Sequence, residues 1–242
     1  MTTADKVYVF DLDGTLAESK QPIPEAIATM LVKLTSRNPV AILTGGTLNQ
    51  ILAQVTNHLP ANTPLGLYAC SGTTYQQPNQ QPVTKALPLA DRQAITMLLE
   101  GVIGDLGYWC TNPVGDIIED RVSQITYSAL GQHAYPDLKK TWDADGKKRT
   151  HIIKHLEPYL GDYVAHLGGN TSIDITHKGN NKKTGIELIA EHYGVTTAQI
   201  IYIGDDLQQG GNDYPVTLTE ATCIPTRNWL HTIQIVNELI RE

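Results

Sequence analysis

The 242-residue chain predicts an α/β fold, a parallel sheet flanked by helices with a smaller α+β unit inserted. Three observations carry this reading. Short apolar runs alternate with amphipathic stretches at both ends of the chain. In the middle, strand-like runs follow one another directly. Polar residues able to do chemistry recur just past the apolar runs, where open α/β sheets bind ligands.

The first run, Val7-Tyr8-Val9-Phe10, is β-branched and aromatic throughout and reads as a strand buried on both faces. Apolar residues at helical spacing predict a helix over 25–36, a strand over 39–43, a helix over 47–58 and a strand over 65–70. This β-α-β-α-β order demands right-handed crossovers and a parallel sheet. From 84 the pattern changes. A helix over 89–104 precedes strands at 108–111, 116–120 and 124–128, a helix over 145–160, and strands at 164–167 and 171–176. The parallel pattern resumes with a helix at 183–193, strands at 199–203 and 221–224, and a closing helix at 230–240. The expected domains are therefore 1–83 with 178–242, interrupted by 84–177.

Composition narrows the function. A formal net charge of −7 argues against a nucleic-acid partner, which calls for a basic face. Residues 1–6 lack an apolar signal core and no apolar run nears the length of a membrane span, so a cytoplasmic chain without a membrane partner is expected. Cys70, Cys110 and Cys223 are odd in number and widely spaced, which fits neither a disulfide framework nor a zinc site. The histidines show no metal-ligand spacing.

The first strand ends in Asp11-Leu12-Asp13-Gly14-Thr15. An aspartate at a strand's carboxyl end can attack phosphorus and form an aspartyl-phosphate. A second one two residues on can exchange protons with the leaving or attacking oxygen. Gly14 permits a sharp turn, and the Thr15 hydroxyl can bond the loop or a phosphoryl oxygen. Thr44, Lys182 or Lys183, and Asp205 with Asn212-Asp213 stand at the ends of the other core elements, and strand ends converge. Asp11 and Asp205 can hold Mg²⁺, with the Asp13 carbonyl as a further oxygen ligand. A lysine and a hydroxyl can offset the charge of a phosphoryl group. Taken singly, Thr44 is an ordinary residue before a helix, the lysines a solvated patch, and Gly210-Gly211-Asn212-Asp213 a turn.

Together these segments resemble the haloacid dehalogenase superfamily of phosphotransferases. They are Asp-Leu-Asp-Gly-Thr, Leu-Thr-Gly-Gly ending at Gly46, a lysine ahead of Gly204-Asp205, and a late Asn-Asp. The resemblance covers the whole chain and implies a Rossmann-like three-layer core with an inserted α+β cap. Residues 11–23 and 204–214 are more narrowly similar to eukaryotic-type phosphomannomutases, as are 118–121, 128–132 and 168–174. It implies Asp11, Asp13, Thr44 and Lys182 as catalytic, with Lys182 favoured over Lys183 by its spacing to Gly194. It places Asp11, Asp13 and Asp205 on Mg²⁺. It implies Thr15, Gly45, Lys20, Arg121, Lys139, Asn170, Ser172, Asp174 and Asn212 as contacts to a small phosphorylated metabolite, a sugar phosphate. Pairing of caps into a homodimer is left open. The chain departs from the mutase pattern by carrying Lys20, Gln132 and Lys139 at arginine positions. Arginine grips phosphate bidentately, so the expected activity is a Mg²⁺-dependent phosphatase, with phosphomannomutase and a non-catalytic phosphosugar-binding protein as alternatives.

Overall fold

The structure is a computed structural model that describes residues 6–240. The reading of residues 1–5 as lacking a signal core lies outside the described residues. The elements of the first half are β1 (Val7–Phe10), α1 (Glu25–Thr35), β2 (Val40–Leu43), α2 (Leu48–Gln54), β3 (Leu65–Ala69), β4 (Thr74–Gln76), β5 (Val83–Thr84) and α3 (Leu89–Asp105). There follow β6 (Ile118–Asp120), β7 (Ile125–Ser128), α4 (Pro136–Trp142), α5 (Lys147–Leu156), β8 (Tyr163–Leu167) and β9 (Ser172–His177). The chain closes with α6 (Lys182–Tyr193), β10 (Ile200–Gly204), β11 (Thr222–Pro225) and α7 (Trp229–Leu239). None of the described helices is long and apolar enough to cross a membrane. The chain divides into two units, one formed by Met1–Val83 with Asn180–Glu242 and the other by Thr84–Gly179.

In the first unit a seven-stranded sheet runs in the order β11-β10-β1-β2-β3-β4-β5. The five strands from β11 to β3 are parallel. β4 turns back antiparallel on β3, a departure from the all-parallel expectation. Alternation along β1 explains the layers, since successive side chains point to opposite faces. Tyr8 and Phe10 pack with Ile27, Leu31, Ile51 and Val236 from α1, α2 and α7. Val7 and Val9 face the other way, toward Ile186 and Ile189 of α6. A sheet buried on both faces needs continuous apolar strands, and β1, β2, β3 and β10 are buried at every residue.

The second unit holds a four-stranded antiparallel sheet, β6-β7-β9-β8. Its inner face, Ile125, Tyr127, Ile173 and Ile175, buries against Leu99 and Ile103 of α3 and Ile152 and Leu156 of α5. The alternate positions are polar. Glu119, Thr126, Asp174 and His166 are in register across all four strands.

Three departures have local causes. Residues 108–111 form no strand. Tyr108 is instead held after α3, its carbonyl accepting from Tyr127 Oη at 3.1 Å and its ring edge-on to Trp142. The helix expected over 145–160 ends at Leu156 and tightens to a 3₁₀ turn over Glu157–Tyr159, where Pro158 supplies no N–H. α4, which begins at Pro136, was not foreseen in the sequence.

Candidate active site

Register brings the first set of residues together. Phe10 pairs with Ile42 on one side and Ile203 on the other, so Asp11, Thr44 and Asp205 follow at neighbouring strand ends. Asp11 is buried, and its Oδ1 accepts from Lys182 Nζ at 2.5 Å. The same ammonium donates to Asp213 Oδ1 at 2.5 Å and to Tyr202 Oη at 3.2 Å. Tyr202 in turn donates to Asp213 Oδ1 at 2.6 Å, and the Asp206 N–H reaches Asp213 Oδ2 at 3.1 Å. Lys182 opens α6 behind a capping box made by Asn181 and Thr184, which fixes where its stem begins. Lys183 lies outside the cluster, half-buried, 3.9 Å from Glu187.

Burial pushes the Asp11 carboxyl up; Lys182 pulls it back, and Asp213 and Asp205 push it up again. Burial alone lowers the Lys182 ammonium, but Asp11 and Asp213 outweigh it and hold the lysine charged. Protein packed around Asp205, and then the charge of Asp213, push its carboxyl up to about 6. Burial and the charges of Asp213 and Asp11 raise the Tyr202 phenol, so it keeps its proton.

Asp11, Asp205 and Asp213 bring carboxylate oxygens within 4.8 Å of one another. Three carboxylates against one ammonium leave two negative charges, and all the ligand atoms are hard oxygens, a donor set that suits Mg²⁺. A Cβ at Gly14 (φ +88°) would stand 2.5 Å from Asp205 Oδ2, so the glycine leaves the Asp205 carboxylate room. Asn212 Oδ1, on the neighbouring loop, is a buried acceptor without a partner among the described residues. The residues present therefore fit a divalent cation.

Asp13 does not join that group. Its two oxygens accept from Gln50 Nε2 and Gln54 Nε2, each at 3.1 Å, and from the Lys20 N–H at 3.0 Å. The two glutamines stand four residues apart on one face of α2. Lys20 sits in the left-handed region (φ +61°), and its Nζ donates to Gln50 Oε1. Thr44 is buried, its hydroxyl accepting from the Gly46 N–H at 3.1 Å beside Gly45. Thr15 is fully buried, with a hydroxyl that has no partner among the described residues. The Asn212 N–H donates to Asp206 Oδ2 at 3.1 Å.

The remaining candidates belong to the second unit. Arg121 Nε donates to Glu119 Oε2 at 2.5 Å, and its NH1 lies 3.9 Å from Asp174 Oδ1. Gln132 Nε2 donates to the same Glu119 oxygen at 2.8 Å. Lys139 is buried, its Nζ donating to the Gln132 carbonyl at 2.8 Å. Asp174 Oδ1 accepts from Thr126 at 2.7 Å, Ser172 Oγ lies 3.3 Å from Ser128 Oγ, and Asn170 is exposed.

One member of the first cluster, Tyr202, was missed in the sequence. Asp213 was expected at the site together with Asn212 but without a role of its own, and its total burial is what sets it apart. Tyr202 sits in an apolar strand and passes for core packing until its hydroxyl is traced.

Residues 8–215 match the family model of haloacid dehalogenase-like hydrolases. The chain belongs to that family. It is therefore an enzyme chain by descent. A phosphomannomutase of Encephalitozoon cuniculi is 25% identical over 217 residues, covering 87% of this chain and 83% of that protein. A Mycoplasma pneumoniae protein named as a candidate phosphatase is 28% identical over 228 residues, covering 81% of this chain and 79% of its own. Among solved structures, a haloacid dehalogenase-like hydrolase from Bacteroides thetaiotaomicron superposes with a TM-score of 0.66 at 14% identity, covering 97% of this chain and 99% of that one. That likeness concerns the fold.

Proposed function

We propose that the protein is a Mg²⁺-dependent phosphatase that hydrolyses a small phosphate monoester, a sugar phosphate, through an aspartyl-phosphate on Asp11. The observation that carries this is Asp11 at the end of β1, buried against the Lys182 ammonium at 2.5 Å and grouped with Asp205 and Asp213. In the first step an Asp11 oxygen attacks phosphorus, a P–O bond forms, and the bond to the alcohol oxygen breaks. Asp13 gives that oxygen its proton and so becomes a carboxylate, the state its four donors support. In the second step Asp13 takes a proton from water, the water oxygen bonds to phosphorus, and the bond to Asp11 breaks, releasing phosphate. Lys182 offsets charge on the phosphoryl oxygens, and the Thr44 hydroxyl and the Gly45 loop hold them. Asp11, Asp205 and the Asp13 carbonyl, with Asp213 beside them, would hold Mg²⁺, which would supply charge neutralisation for an anionic nucleophile meeting an anionic ester.

Hydrolysis is favoured over mutation by the cations of the second unit. A mutase must grip a second phosphate. Here Arg121 is already ion-paired to Glu119, Gln132 is neutral, and Lys139 is turned to a backbone carbonyl. Thr15, Lys20 and Asn212 in the first unit, and separately Arg121, Lys139, Asn170, Ser172 and Asp174 in the second, are kept as candidate contacts to a phosphorylated metabolite, its hydroxyls included. The phosphomannomutase-named relative favours a second reading, interconversion of hexose 1- and 6-phosphates.

One preparation with Mg²⁺ separates the two. It is offered an aryl phosphate, a hexose phosphate panel, and mannose 1-phosphate with a bisphosphate activator. Release of phosphate outrunning isomerisation supports the phosphatase. Faster conversion of mannose 1-phosphate to the 6-phosphate overturns it in favour of the mutase, and neither product points to a binding protein.

A further inference from the structure

We propose that Tyr202 is a positioning residue for the reaction, whose hydroxyl locks Asp213 and Lys182 together and so aims the ammonium at Asp11. The inference rests on the phosphoryl-transfer reading for its catalytic consequence, and on geometry alone for the positioning.

The ring of Tyr202 belongs to the apolar layer between β1, β10 and α6, where it packs with Val7, Val9 and Ile189. Phenylalanine would fill that space equally. The hydroxyl is therefore not there for packing, and burying a phenol is costly unless it is hydrogen-bonded. It is bonded twice, accepting from Lys182 Nζ at 3.2 Å and donating to Asp213 Oδ1 at 2.6 Å. Lys182 also donates to that Asp213 oxygen at 2.5 Å, which closes a three-membered ring of hydrogen bonds. The three ammonium protons then have three acceptors, Asp213, Tyr202 and Asp11, in a tripod with one leg on the nucleophile.

Gly204 makes the arrangement possible. A Cβ there would lie 2.7 Å from the Tyr202 ring and collide with Asp213 Oδ2, so only a glycine admits both side chains. When Asp11 accepts a phosphoryl group it loses its carboxylate charge, and the lysine must stay in place to face the phosphoryl oxygens instead. The Tyr202–Asp213 pair is what retains it. Without the hydroxyl, Asp213 and Lys182 keep their charges but lose the third contact that sets the direction between them.

The test compares Tyr202→Phe with Tyr68→Phe. Tyr68 lies in the same apolar layer and spends its hydroxyl on His192 Nδ1 at 2.9 Å, so it reports the cost of losing a buried phenol as such. The first readout is the ¹H–¹⁵N signal of the Lys182 ammonium, which survives solvent exchange only while the group is held. It is expected in wild type and Tyr68→Phe and lost or exchange-broadened in Tyr202→Phe. The second is steady-state hydrolysis of an aryl phosphate, where kcat should fall about tenfold in Tyr202→Phe with KM within about twofold, as for loss of one hydrogen bond to a charged group. Tyr68→Phe should leave both constants unchanged. An ammonium signal retained in Tyr202→Phe, or equal loss in both variants, overturns the proposal. If the signal behaves as expected but wild type turns over no phosphate ester, the positioning stands and the proposed reaction falls.

Discussion

A cluster of charged side chains in the first unit and another around Arg121 in the second differ in balance. In the first, buried Asp11 and Asp213 share a single ammonium, Lys182, and exposed Asp205 stands beside them, leaving two negative charges uncompensated. In the second, Glu119 is matched by Arg121, Asp174 lies within 3.9 Å of that arginine, and Lys139 stands by through Gln132. The first cluster could hold a metal ion. The second is satisfied by itself, and its polar row of Glu119, Thr126, Asp174 and His166 offers hydrogen bonds rather than net positive charge. On the proposed reading, the first region, once a cation binds, does chemistry on an anion, and the balanced second one reads neutral hydroxyls.

That contrast is most severely broken at the nucleophile. Asp11→Asn should lower phosphate release more than about a thousandfold while circular dichroism shows the fold intact, because the amide is isosteric but a poor nucleophile. Next comes the single ammonium. Lys182→Met leaves buried carboxylates unpaired and should cost about 3–5 kcal/mol in urea denaturation, with the loss reduced when Mg²⁺ is added. The second cluster is sharpened by Gln132→Arg, which tips it toward positive charge. The ratio of mannose phosphate isomerised to phosphate released should rise about tenfold, one charge-assisted contact's worth.

The smallest effect is on pH. Asp205 titrates near 6 rather than at the usual carboxylate value, so the folded ion-free protein binds that proton more tightly than the unfolded chain does. Its contribution is therefore fully present below the unfolded pKa and is lost as pH rises through about 6. The stability difference between wild type and Asp205→Asn, measured without Mg²⁺ by denaturant titration, should shift against wild type between pH 4 and 7. Mg²⁺ at pH 7 should restore it. A difference that does not move with pH would show that Asp205 carries no excess charge.

Much of the fold is legible in the sequence. β1 matches its sequence reading residue for residue, since four apolar residues against an abrupt carboxylate leave little choice of boundary. The parallel strands and their flanking helices were readable because burial on both faces writes a continuous apolar signal. β4 and β5 were not, being three and two residues long and set among polar neighbours. Asp13 was expected beside Asp11. The two-residue spacing says nothing of Gln50 and Gln54, which reach it from α2 only after folding. Tyr202 was hidden among core residues, whereas Asp213 was readable beside Asn212 but not its role, and the network through Lys182 joins the two.

The central claim is a covalent phosphoryl group on Asp11. Protein mixed with Mg²⁺ and an aryl phosphate, quenched during turnover and reduced with borohydride, converts an acyl-phosphorylated aspartate to homoserine. Peptide mass spectrometry should then find that change at position 11, and should not find it when Mg²⁺ is replaced by EDTA. Turnover that proceeds with Asp11 unmodified, or with the change at Asp13, Asp205 or Asp213, would contradict the account.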